Sequence, residues 1–169
     1  MKLIKPEVRY QASYDAYVKE LGNESRHPFP LDFDHRDFPA LLDKIRHYET
    51  SDDLPEPFEP SSTFWLVEGD EILGMSNLRH RLNETLRDSG GHIGLGIRPS
   101  KRGLGLGSEL LGLTVEQAHQ KGITQVHVHC YADNQASANM IKACGGELES
   151  STADGDRQVL RFLITQPVD

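Results

Sequence analysis

Hydrophobic and polar residues repeat with two periods along this chain, helical before residue 60 and mostly strand-like just after it. From Tyr10 the apolar positions Tyr10, Tyr14, Tyr17, Val18 and Leu21 fall at helical spacing, and Gly22-Asn23 stops the pattern. Residues 23–34 contain His27-Pro28-Phe29-Pro30 and read as loop. A second helix is predicted near 35–50, with Phe38, Leu41, Leu42, Ile45 and Tyr48 on one face. Residues 51–60, with three prolines and four acids, read as a surface loop. Residues 1–6 either begin a strand or pack loosely.

Strands then dominate. Thr63–Val67 and Glu71–Arg79 flank Glu68-Gly69-Asp70 and predict a hairpin. Residues 80–89 are polar and are expected to be loop. Gly91–Arg98 reads as a third strand, and its glycines mark a place where a backbone or ligand comes close. A glycine-rich turn at 99–107 leads into a helix over about 107–121, packed through Leu110, Leu111, Thr114, Val115 and Ala118. Ile123–Tyr131 is β-rich. Asp133 or Asn134 caps a helix that reaches Ala143 and closes at Gly145-Gly146. Glu147–Thr152 and Gln158–Thr165 form a hairpin about Asp154-Gly155-Asp156. This order predicts one α/β domain over 1–169, without internal repeats and with a mixed sheet.

Length and composition narrow the function. A chain of 169 residues with 37% apolar and 26% charged residues suits one globular domain. A formal charge of −8 argues against nonspecific nucleic-acid binding, which needs a basic surface. No apolar run is long enough for a membrane span, so no membrane partner is expected. The N-terminus has no apolar signal core, and two cysteines, Cys130 and Cys144, suit a reducing compartment, so the expected location is the cytoplasm.

The chemistry concentrates in Arg98-Pro99-Ser100-Lys101-Arg102-Gly103-Leu104-Gly105-Leu106-Gly107-Ser108. This stretch lies between a strand and a helix. Amides at a helix N-terminus lack internal partners, and the dipole there favours an anion. Glycine lets the backbone approach that anion closely. Arg98, Lys101 and Arg102 add three cations, and together these features point to a bound phosphate. A P-loop is excluded because Gly107 is followed by Ser108-Glu109 rather than Lys-Ser/Thr. The dinucleotide fingerprint fails as well, because its third glycine falls on Ser108 or Leu110. The pattern that fits is Arg-x-x-Gly-x-Gly, at Arg102, Gly105 and Gly107.

Downstream, Asn134-Gln135-Ala136-Ser137 opens a helix that ends in Lys142-Ala143-Cys144-Gly145-Gly146. With the loop before it, this resembles the GNAT superfamily of acyl-CoA N-acyltransferases across residues 91–148. Leu78–Asn83, Gly90–Gly94 and Ile97–Ser100 resemble in particular a bacterial subgroup of predicted acetyltransferases. The resemblance implies a GNAT-like α/β fold: a mixed, mostly antiparallel central sheet, helices on both faces and a splayed acyl-CoA cleft. Residues 1–60 would supply acceptor-side helices, and 63–165 the cofactor-binding sheet and helices.

It implies acetyl-CoA as donor, an amine acceptor whose identity is open, no metal, and a homodimer of the kind common in the superfamily. Leu95 and Ile97 would bond pantetheine through their backbones. The amides of Arg102, Gly103, Leu104, Gly105, Leu106, Gly107 and Ser108 would hold the pyrophosphate. Asn134 would contact the pantetheine arm, and Ser137 would sit close to it. An amine would then attack the thioester directly, aided by positioning and oxyanion stabilisation. Many members carry a tyrosine acid seven residues after the asparagine, where this chain has Ile141. Tyr131 is the substitute considered as acid, and His92 and His80 are the bases considered, with Glu84 behind them. Asp32, Asp34, Asp52, Asp53 and Glu56 are candidates to line the acceptor entrance. His127 and His129 share a strand face, but two histidines without a third ligand make a poor metal site. The alternatives are a binding module that keeps acyl-CoA without turnover, and a phosphate binder of another type.

Overall fold

A computed structural model describes residues 1–167 of the chain. Helix α1 (Gln11–Leu21) buries Tyr14, Tyr17 and Leu21 along one stripe, and Gly22, at φ 54°, ends it. Helix α2 (Phe38–Thr50) starts at Asp37, whose carboxylate accepts from the Ala40 amide at 3.1 Å, and buries Phe38, Leu41 and Ile45. Both helices pack on the face of a first sheet formed by β1 (Lys2–Ile4), β2 (Ser61–Glu68), β3 (Glu71–Arg79) and β4 (Ile93–Ile97), in that order.

Strand β2 is buried along its whole length except Glu68, because helices cover both of its faces. Trp65 and Val67 join the α1–α2 core, and Phe64 and Leu66 face the other way. A bulge opposite Leu66 and Val67 leaves Leu73 unpaired. Ile72 and Met75, three apart, therefore point into the same core.

Helix α4 (Leu106–Gln120) covers the second face and buries Leu110, Leu111, Thr114, Val115 and Ala118, the five positions its sequence pattern predicts. Thr114 donates to the Leu110 carbonyl at 2.7 Å and lies 2.8 Å from the Ser76 hydroxyl, which locks α4 to β3. A second sheet holds β5 (Gln125–Tyr131), β7 (Arg157–Thr165) and β6 (Glu147–Asp154), in that order, with helix α5 (Gln135–Ala143) against it.

The expected mixed, mostly antiparallel central sheet is thus two sheets, and each strand pair in them, among the described residues, is antiparallel rather than mixed. They touch where Gly91 bridges Val128 and the His92 amide donates to the His127 carbonyl at 2.8 Å. Beyond that point β4 and β5 part, as the expected splay requires. The segment 80–89, expected to be loop, contains the single-turn helix α3 (Glu84–Asp88). Asn83 caps it by accepting from Leu86, which is itself buried. One turn held by one cap and one apolar contact leaves no periodic signal to read.

Candidate active site

The opening between the sheets is a cleft of about 760 Å³, continuous through shared residues with a second cavity of about 460 Å³. His27, Leu95, Asn134, Ser137 and Met140 line both. The first runs under the glycine loop and the second lies where β4 and β5 begin to part.

The backbone of β4 supplies unpaired groups to this opening. Arg98 donates to the Leu73 carbonyl at 2.9 Å and Arg79 to the His92 carbonyl at 2.7 Å. An antiparallel ladder alternates bonded and non-bonded pairs. These two ends therefore make Gly94 and Gly96 the bonded partners on β3, and turn the amides of Leu95 and Ile97 away from it, toward the gap. Gly96 has no room for a side chain: a Cβ there would stand 2.4 Å from the His27 carbonyl oxygen. The segment before Phe29 thereby closes over the strand.

The loop follows directly. Gly105 sits at the N-cap of α4 with φ 78°, left-handed backbone that suits glycine, and no side chain caps the helix. Glu109 donates back to the Gly105 carbonyl at 3.3 Å. The amides of Leu106, Gly107 and Ser108 precede that first turn and have no carbonyl behind them. Among the described residues, none of the amides from Gly103 to Ser108 has a protein partner. The cradle is therefore open to an anion.

The cations beside it are used differently from the sequence expectation. Arg98 is nearly buried, at 12% side-chain exposure, and pairs with Glu20 of α1. The Ser100 amide donates to the same carboxylate at 2.9 Å. Lys101 pairs with Glu71 at 2.8 Å and Arg102 with Glu24 at 2.9 Å, while Arg102 Nε also donates to the Ile97 carbonyl. These pairs hold the loop to α1, to the segment that follows it and to β3. Lys101 and Arg102 still line the cleft, and the groups left there without a protein partner are the backbone amides at the positive end of the helix dipole.

Of the residues expected to hold the donor, Leu95, Ile97, Arg102, Gly103, Gly105, Leu106, Gly107, Ser108, Asn134 and Ser137 line the first cleft. Leu104 does not; the residue is 68% exposed at the loop tip. Asn134 caps α5 by accepting from the Ser137 amide at 3.1 Å. The sequence reading missed Tyr17, Glu24, Ser25, His27 and Met140, which also line the cleft. No local pattern marks them, because they arrive from α1, the loop after it and α5.

The expected acid and bases do not converge. His92 is only 7% exposed and lines neither cavity. Its Nδ1 accepts from the His127 amide at 2.9 Å, and burial pushes its pKa down to about 4. It ties the sheets together. His80 also lies outside both cavities: its Nε2 is 2.8 Å from the Ser62 hydroxyl, and burial lowers its pKa. Tyr131 does line the second cavity, but its hydroxyl donates to Asp154 at 2.9 Å and Arg157 lies 3.4 Å over its ring. The bond to Asp154 raises its pKa. Ile141 is buried in the α5 core and also lines the second cavity.

His129 lines that cavity too, and burial holds its pKa at about 4. Glu84 opens α3 and lines neither cavity. Nor do Asp32, Asp34, Asp52, Asp53 or Glu56 reach the entrance; Asp34 pairs with Arg36 and Asp52 with Arg81. Among the described residues no three His, Cys, Asp or Glu side chains gather as a metal would require, and no helix is long and apolar enough to cross a membrane.

Similar folds are known. An acetyltransferase of the GNAT family from Streptococcus pneumoniae is 19% identical, with a TM-score of 0.66 over 97% of this chain and 98% of its own. A Salmonella typhimurium acetyltransferase that modifies the N-terminal serine of ribosomal protein L7/L12 is 15% identical, with a TM-score of 0.66 over 98% and 94%. The dodecameric spermidine N-acetyltransferase of Vibrio cholerae is 15% identical, with a TM-score of 0.67 over 98% and 93%. At these identities the likeness is one of fold. No match was found among curated protein sequences. The acetyltransferase (GNAT) family model matches residues 18–145, from α1 through the glycine loop to the end of α5. A match over most of the chain, on the elements that build the cleft, makes this protein a member of the GNAT family of acetyltransferases.

Proposed function

We propose that the protein transfers an acetyl group from acetyl-CoA to a primary amine of a small molecule or peptide. The observation that carries this reading is two sets of unpaired amides facing one cleft, Leu95 and Ile97 on β4 and Gly103–Ser108 at the start of α4. The donor's diphosphate would meet the loop amides, and its pantetheine arm would lie against Leu95, Ile97, Asn134 and Ser137. Acetyl-CoA supplies the activated thioester. The chain's part is to hold it, to exclude water and to offer a β4 amide to the oxygen that gains charge during attack.

The amine enters through the second cavity, forms the new N–C bond and displaces the thiolate. His27, exposed and lining both cavities, is the imidazole placed to accept the ammonium proton and pass it to water. We read residues 1–167 as one such domain, with α1, α2 and the loop between them on the acceptor side. Two free cysteines suit activity in the cytoplasm, and a homo-oligomer is the proposed assembly.

Ile141 in place of the expected tyrosine acid favours a second reading, a module that binds acyl-CoA without turnover. Calorimetry with acetyl-CoA, followed by thiol release with a panel of amines, separates the two. Binding with thiol release is expected. Binding without release from any amine would leave only the second reading, and no binding would end both.

A further inference from the structure

The second cavity carries the opposite charge from the protein as a whole. The chain is acidic by 8 charges, yet no Asp or Glu lines this cavity. Arg79 does line it, from the end of β3. Its Nη1 donates to the carbonyls of Gly90 at 3.3 Å and Gly91 at 2.9 Å. Among the described residues Arg79, Arg26 and Arg87 have no carboxylate partner, whereas the other eight arginines each have one, and of those three Arg79 is the one that lines the cavity. Burial lowers its pKa, the mark of a cation held in a poorly solvated place without compensation. His129, beside it on the cavity wall, has both ring nitrogens buried and unpartnered. A half-buried guanidinium with an unused side of its fork costs free energy until an anion fills it.

We infer that the acceptor is an amine that also bears a carboxylate, a free amino acid in chemical class, with Arg79 as the counter-ion of that carboxylate. This rests on the acyl-transfer reading above for the amine half of the substrate. The arrangement suits that role: the cavity shares Leu95, Asn134 and Ser137 with the donor cleft at one side and presents Arg79 at another. A polycation such as spermidine would meet a like charge here and no acid to receive it. Selection by net charge alone would have pointed the other way.

The test measures thiol release from acetyl-CoA with a set of amino acids, each against its own carboxamide, and with short peptides ending in the same residues. Binding of the same set is measured by calorimetry without donor. Carboxylates are expected to exceed their carboxamides by at least about tenfold in kcat/KM, with added salt narrowing the gap. In Arg79→Gln the KM of the carboxylate should rise by a similar factor while that of the carboxamide and the affinity for acetyl-CoA stay unchanged. Arg79→Lys, which keeps the charge, should retain part of the preference and serves where the Gln variant fails to fold. Activity confined to the peptides would place the carboxylate on a chain end and overturn the free amino acid. Equal rates and equal binding for acid and carboxamide would overturn the inference and leave acyl transfer intact. A carboxylate preference in binding with no thiol release would support Arg79 as the carboxylate's counter-ion and overturn acyl transfer, and with it the acceptor role.

Discussion

His92 and His127 are bonded twice, the His92 amide donating to the His127 carbonyl at 2.8 Å and the His127 amide donating to His92 Nδ1 at 2.9 Å. This pair stands where the two sheets meet, just before β4 and β5 part. The side chain substitutes for a missing ladder bond, so it sets the apex of the cleft without entering it.

His92→Ala should therefore act on stability. It removes the acceptor of a half-buried amide, a loss of about 1–3 kcal/mol. A lower urea midpoint is expected, with affinity for acetyl-CoA and turnover per folded molecule close to wild type. Unchanged stability with lost turnover would return His92 to the chemistry.

The same cluster makes stability depend on pH. Burial lowers the pKa of His92 and of His129 from 6.5 to about 4, so the folded protein binds fewer protons than the unfolded chain between those values. Their neutral forms favour folding fully above the unfolded value, and that contribution is lost progressively as pH falls toward 4. The loss is on the order of 3 kcal/mol for each ring. Melting temperature should stay level above about pH 6.5 and fall below it. His129→Leu, which fills the space without titrating, should make the fall shallower. An identical slope in that variant would show that the ring is not buried neutral.

Gly105→Glu should abolish donor binding. The position has φ 78° and open space around it, so the substitution costs backbone strain of about 1–2 kcal/mol without a clash. It also sets a carboxylate at the mouth of an anion cradle. Calorimetry should show acetyl-CoA affinity reduced at least about 100-fold, with the far-ultraviolet spectrum of the fold retained. Wild-type affinity would remove the loop from the site.

Much of the fold was legible because its signals are local. The stripe of Tyr14, Tyr17 and Leu21, the five buried positions of α4 and the cap at Asn134 each depend on residues within a few turns. The glycine loop was legible for the same reason: a helix N-terminus lacks partners whatever surrounds it. Helix α3 was not, since one turn resting on Asn83 and Leu86 has no period.

By itself the sequence determined the order of elements apart from β1 and α3, the open amides at Gly103–Ser108 and the strand whose glycines allow close approach. Only the tertiary structure decided where the charges go and which imidazoles face the cavity. Arg98, Lys101 and Arg102 looked like phosphate ligands until Glu20, Glu71 and Glu24 came beside them from distant segments. His92 looked like a base until β5 covered it, while His27 and His129 reached the cleft. Period tells which residues share a face of a strand. What covers that face is set by chain segments far away in sequence, and their packing decides whether a polar group is spent on the fold or left for a substrate.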